Sequence, residues 1–467
     1  MMVQQTADNQ PHGALLMQGG TQNKSLEQVN GTIAVPKSGS FWRRLLAFSG
    51  PGALIAVGYM DPGNWVTSVQ GGASYHYLLM SVVMLSAAIG MLLQYLAGKL
   101  GIVTQEDLAQ ATAKRTKKAT RYFLWFITEL ALIATDIAEV VGGAIALNLL
   151  FGWPLLLTVI MTAFDVILLL GLMKFGFRKI EAIVMTLILT ILFVCLYLVF
   201  LSKPDLAGVF GGLLPQKEVV STQAIHGLSS PLFLTAGIIG ATVTPHNLYL
   251  HSSIVQTRKV DKENPAEVKE AIKWMAWDSN GQLTLAFIVN ALLLIVGAAL
   301  FYGHANELAS FKGMYLALQN QQMAGAIASP FLSTLFAVAL LASGQNSTIT
   351  GTLAGEIIME GFLHFKIPMW LRRVITRGVA LIPVIAIAVL YGGNEHDLDA
   401  LITGTQVFLS VVLPFSMAPL LYFTSSKKIM GQFVNKKSVT VIGWLCFIVL
   451  TVINIWLVLE QLGQWFG

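Results

Sequence analysis

The sequence predicts an all-α polytopic membrane protein of eleven transmembrane helices, arranged as a 5+5 inverted repeat plus one extra helix. Three observations predict it. Of 467 residues, 55% are hydrophobic and only 11% charged, against roughly 25% charged in a soluble domain, which excludes a water-soluble fold of this size. The apolar residues form runs near the roughly 20 residues that a spanning helix needs, without barrel-type alternation, and lipid admits only helices or closed barrels. Two of the runs carry matched proline breaks five spans apart.

Residues 1–42, rich in Gln, Asn, Gly and Ser, lack the features of a secretory signal and read as a disordered polar cytoplasmic tail. Spans follow near 46–70, 78–97, 122–148, 153–172, 178–200, 231–255, 275–301, 327–362, 371–391, 399–423 and 439–460. The first repeat occupies 43–200, the inverted repeat 229–423 and the eleventh helix 438–467. Cytoplasmic loops hold the positive excess. A cytoplasmic N-terminus puts 26 of the 29 Lys and Arg inside, the Arg372, Arg373 and Arg377 group and Arg258 among them, and leaves Lys203, Lys217 and Lys312 outside with the C-terminus. The net charge of +5 does not indicate nucleic acid, because the basic residues lie between apolar runs rather than on a soluble face. Cys195 and Cys446 sit inside apolar runs and read as packing residues, not a disulfide framework.

The first span contains Gly58-Tyr59-Met60-Asp61-Pro62-Gly63-Asn64 and the sixth Gly240-Ala241-Thr242-Val243-Thr244-Pro245-His246-Asn247. Proline removes a donor and clashes with the preceding turn, so each helix should unwind there and free carbonyls. A lone proline reads as a kink. Two matched breaks with a carboxylate at one read as a midplane site between discontinuous helices, since Asp61 deep in a span costs a few kcal/mol on insertion scales. Asp61, Asn64, Thr244 and the freed carbonyls form an oxygen-rich set suited to a divalent cation. A carboxylate substrate would instead want helix N-termini without Asp61.

These breaks, the Pro245-His-Asn-Leu-Tyr-Leu-His-Ser-Ser run, Thr135-Asp-Ile-Ala-Glu, Ser347 to Gly355 and Ala418-Pro-Leu-Leu resemble the Nramp family of proton-coupled divalent-metal transporters, especially its bacterial manganese transporters. The resemblance runs from about Arg43 to the C-terminus. It implies a LeuT-type fold in a bacterial cell membrane, import of Mn2+ and Fe2+ with Cd2+ also admitted, and proton symport. It also implies metal ligands at Asp61, Asn64, the carbonyls of Gly58 and Ala241, and Gln406 closing over the ion. The chain departs at Thr244, where the family has Met-Pro-His. A hydroxyl supplies no soft contact, so selectivity is expected to broaden toward hard ions.

Asp136, Glu139 and Glu129 fall on one stripe of the third helix about 80° wide and must face the bundle. The resemblance makes Asp61 the primary proton acceptor, with Asp136, Glu139 and either Arg373 or Arg377 as relay. His246 reads equally as a proton carrier or a structural hydrogen-bonder. His251 is assigned to packing, Asp165 to a hydrogen bond with a neighbouring helix, Asn290 to hydrating an ion pathway rather than bridging helices, and Glu356 and Glu360 to a solvated inner face. The rival reading is a sodium-coupled transporter of a small organic solute on the same fold. A membrane metalloenzyme is disfavoured because the eight His are dispersed. Without a Walker motif the energy source must be a gradient. No cofactor is expected; the partners are divalent ions, protons and the bilayer, and no oligomer is required.

Overall fold

Proline and glycine set the two interruptions around which the helices are arranged. The structure, a computed structural model, describes residues 30–31, 33, 40–164, 177–224, 229–303, 310–321, 328–365, 369–390 and 395–466. Residues 1–29, Asp165 and the rest of the fourth span's second half lie outside the described residues. After α1 (Phe41–Phe48), α2 (Pro51–Val57) ends in tight turns, the Gly58, Tyr59 and Met60 amides each reaching back only three residues. Extended Asp61 then caps α3 (Pro62–Tyr75). The chain continues through α4 (Met80–Thr104), α5 (Leu108–Arg115), α6 (Lys118–Phe151), α7 (Leu155–Thr162), α8 (Phe177–Ser202) and α9 (Leu206–Gly212). The second break separates α10 (Pro231–Thr242) from α11 (Pro245–Ile254), with Thr244 extended between them. There follow α12 (Pro265–Phe301), α13 (Phe311–Ala317), α14 (Pro330–Leu363), α15 (Met369–Leu390), α16 (Glu395–Thr424) and α17 (Lys437–Phe466).

Both expected breaks are therefore present. Among the described residues six helices are long and apolar enough to cross a membrane: the windows within α4, α6, α8, α12, α16 and α17. Local capping moves several boundaries away from the apolar runs. The seventh span starts ten residues early, at Pro265, because Asn264 caps it by accepting from the Ala266 amide at 3.1 Å. The short helices α5, α9 and α13 were not anticipated; each is capped by an Asp or Ser side chain.

Two further expectations need correction. Part of the segment expected to be disordered is docked: the Gly31 amide donates to the Gln256 carbonyl at 2.9 Å, and the Lys259 amide to the Ile33 carbonyl at 2.9 Å. Arg258, counted above as a loop charge, is buried, its guanidinium donating to the carbonyls of Phe48 at 3.1 Å and Ser49 at 2.6 Å. Those carbonyls are left over at the end of α1, so a buried cation is stabilised by unused acceptors.

Close helix approach depends on missing side chains. A Cβ at Gly72 of α3 would strike the α12 backbone from Leu294 to Ala298, and one at Gly297 would strike the Val69 backbone of α3. In lipid, such small residues let dispersion and backbone contacts hold helices together. Gly72→Val is therefore expected to push α3 from α12 and cost about 1–3 kcal/mol, read as a fall of several degrees in the melting temperature of the detergent-solubilised protein. An unchanged melting temperature would show that the contact is not tight.

Candidate metal-binding site

Each break leaves polar groups that hydrocarbon cannot satisfy, and partners on other helices take up part of them. The Tyr59 carbonyl accepts from Asn290 Nδ2 of α12 at 2.6 Å, and the Met60 carbonyl from Ser343 Oγ of α14 at 2.5 Å. Asn247 Nδ2 donates to Thr244 Oγ1 at 2.7 Å and approaches the Ile55 carbonyl at 3.5 Å. That one amide ties the second break to the first. Gly58 is required beneath it, since a Cβ there would collide with the Asn247 side chain. Gly63 likewise makes room for Gln406 of α16, and Pro62 packs against Gly142 of α6.

Asp61 is 1% exposed. Its Oδ1 accepts from the Asn64 amide at 2.8 Å, fixing the carboxylate at the start of α3 where the helix dipole favours negative charge. Its Oδ2 has no hydrogen-bond partner, and the same holds for the side-chain oxygens of Asn64, Asn247, Asn290 and Gln406. Among the described residues no cation pairs with Asp61. A buried carboxylate surrounded by unpaired amide oxygens is a donor set for a hard or borderline cation. It holds a single formal charge, and no cluster of three or more His, Cys, Asp or Glu occurs among the described residues.

The acidic stripe on α6 is handled differently. Arg373 of α15 reaches Asp136 and also donates to Glu139 Oε2 at 2.8 Å. Arg377, one turn on, donates to the same Glu139 oxygen at 3.3 Å and to Thr348 Oγ1 at 3.0 Å. The hydroxyls of Ser347 and Thr348 donate to Glu139 at 2.7 and 3.0 Å. Both candidate arginines therefore belong to the network. A third, Arg372, donates to Glu129 Oε1 at 2.6 Å and was not singled out from the sequence, though its place beside Arg373 was a usable signal. Three acids thus face three arginines, all buried or nearly so. Gly355 leaves space for the Arg372 guanidinium, which a Cβ would strike.

The other candidates separate clearly. His246, second in α11, is buried with Nδ1 unpartnered. His251 accepts a structural role, its Nδ1 lying 2.9 Å from the Gln94 carbonyl. Asn290 bridges helices, where hydration of a pathway was expected. Glu356 is buried at 8% exposure, which contradicts a solvated face; Glu360 is partly buried. Ala241, Thr244 and Gln406 are all fully buried around the second break.

Residues 52–460 match the family model described as Nramp, natural resistance-associated macrophage protein-like. The divalent metal cation transporter MntH of Levilactobacillus brevis is 57% identical over 443 residues, covering 95% of each chain. A solved manganese transporter mutant from Eremococcus coleocola is 52% identical, covers 95% of this chain and 92% of its own, and superposes with a TM-score of 0.88. The nucleobase-cation-symport-1 transporter Mhp1, at 13% identity, 87% and 89% coverage and a TM-score of 0.55, shares the fold alone.

Removing one member of a buried ion network leaves the others uncompensated, at a cost of about 3–5 kcal/mol. Arg373→Gln is expected to lose that much stability, and Arg372→Gln less, because Arg372 serves only the more peripheral Glu129. Thermal unfolding in detergent checks the order; equal melting temperatures for the two variants would contradict it.

Proposed function

We propose, on the premise that this chain belongs to the Nramp family of divalent metal cation transporters, that it imports Mn2+ and Fe2+ with cotransport of protons. The observation that carries the reading is Asp61: a buried carboxylate without a counter-cation among the described residues, set where two half-helices meet. A divalent ion supplies the missing positive charge. Asp61 and Asn64 would hold it through side-chain oxygens, Gly58 and Ala241 through carbonyls, and Thr244 and Gln406 would complete the shell. One formal charge among neutral oxygens gives moderate affinity, because ligand charge count tunes binding. That suits an ion which must be released on the other side.

Proton coupling follows from the same deficit. Before the metal arrives, a proton on Asp61 keeps the empty site neutral at less cost than an exposed charge in the bundle, and the incoming metal ion displaces that proton toward the inner side. His246, with its unpartnered nitrogen, and the Asp136, Glu139, Arg373 and Arg377 network would carry the proton inward. The Lys and Arg distribution favours a cytoplasmic N-terminus and an external C-terminus, and the bacterial relatives favour a bacterial cell membrane.

Asp61→Ala is expected to abolish Mn2+ uptake into proteoliposomes, since a divalent ion among neutral oxygens is incompletely compensated for its lost hydration. Wild-type uptake by that variant would remove Asp61 from the site. Thr244→Met should raise Cd2+ affinity relative to Ca2+ and Mg2+ by roughly tenfold, about 1.4 kcal/mol, while Mn2+ changes little because it accepts both ligand types. Competition assays measure it. Unchanged Cd2+ to Ca2+ discrimination in a variant that still transports Mn2+ would place Thr244 outside the coordination shell.

A further inference from the structure

Where α4 ends, α12 begins and the segment joining α16 to α17 turns back, three lysines line one cavity of about 640 Å3. Lys99 is 6% exposed. Its Nζ donates to Asn435 Oδ1 at 2.7 Å and lies 5.8 Å from the centre of the Tyr95 ring. Lys269 and Lys436 are exposed at the rim. The acidic residues beside Lys269 are engaged elsewhere: Glu270 pairs with Arg44, and Glu267 accepts from the Asp261 amide at 3.3 Å. Among the described residues no carboxylate pairs with Lys99, Lys269 or Lys436. The surroundings of Lys99 are also rigid, because Asn435 Nδ2 donates to Thr424 Oγ1 at 3.0 Å and the Asn435 amide to the Thr424 carbonyl at 3.1 Å.

A buried ammonium served only by a neutral acceptor is costly. The remaining walls, Tyr95, Ile272, Phe433 and Val439 among them, offer apolar surface and no negative charge. We infer that this cavity is a binding site for a phosphate-bearing anion, held by Lys99 from within and by Lys269 and Lys436 from the rim. Three separate point charges match a group with several divergent oxygens, and lysine binds phosphate as such a point charge. The cavity is larger than inorganic phosphate, so the group carries a substituent that lies on the apolar wall. Two sources share that chemistry: the headgroup of an anionic phospholipid and a soluble phosphate ester. None of the residues assigned to metal or proton lines it, so the site is separate from the transport path.

Binding to the purified full chain in detergent tests this, using phosphatidylglycerol, phosphatidylcholine of the same acyl chains, sn-glycerol 3-phosphate and inorganic phosphate as probes. Native mass spectrometry reads the lipids and thermal-shift titration the soluble anions. Saturable binding of phosphatidylglycerol or of a soluble phosphate is expected. Lys269→Gln with Lys436→Gln should weaken it at least fivefold, and Lys99→Gln at least tenfold, with Mn2+ binding retained as the control for folding. Saturation by phosphatidylglycerol alone assigns a lipid headgroup; saturation by the soluble anions assigns a solute. Should Lys99→Gln fail to fold, the rim double variant decides. Binding unchanged in the rim variant, equal binding of phosphatidylcholine, or no binding of any probe would overturn the inference.

Discussion

A carboxylate buried in the helix bundle with no counter-cation among the described residues is the constraint on which the rest of this structure depends. In an intact helix Asp61 would need facing cations, as the acids of the unbroken α6 have. Breaking the helix at Pro62 does two things at once. It puts Asp61 at the start of α3, where the Asn64 amide and the helix dipole favour the anion, and it exposes backbone carbonyls that a cation can use. The cost of the break is offset by Asn290 and Ser343, which donate to the carbonyls of Tyr59 and Met60. Neighbouring glycines let the second break, through Asn247, and α16, through Gln406, approach closely enough to complete the surroundings.

The acids of α6 differ from Asp61 in how their charge is met. Glu129, Asp136 and Glu139 are each paired with arginine, and Glu139 also receives two hydroxyls. Such a network is self-compensated and gains nothing from a bound divalent ion. Among the described residues Asp61 has no such partner, which is why the proposed function assigns both the metal ion and the proton to it. Under the proposed function, selectivity between metals would fall to the neutral oxygens around the breaks, Thr244 among them.

Much of this was legible in the sequence because the decisive signals are local. The prolines at 62 and 245 mark both breaks, Asp61 stands out as a charge in an apolar run, and the acidic stripe of α6 follows from helical spacing. What depends on packing was not. Arg372, Arg373 and Arg377 lie within two turns of one helix, and only the facing helix shows that the last two share Glu139 while the first serves Glu129. Glu356 read as solvated because it stands one turn from Glu360 near the inner end of its span, and only the packing of neighbouring helices shows that it is buried. Asn290 gave no clue to its target, since its acceptor belongs to the broken helix 231 residues away. The docking of Gly31 and Ile33 was invisible in a polar tail because backbone pairing with 256–259 needs no side-chain pattern.

The central claim is that metal and proton compete for one uncompensated carboxylate. The most direct measurement is the Mn2+ affinity of the purified protein as a function of pH, by isothermal titration calorimetry, alongside Asp61→Asn. If the claim holds, wild-type affinity falls toward about tenfold per pH unit once protonation of Asp61 opposes binding, and whatever weak affinity Asp61→Asn retains does not follow pH in that way. Wild-type affinity that is independent of pH, or an equal pH dependence in Asp61→Asn, would contradict it.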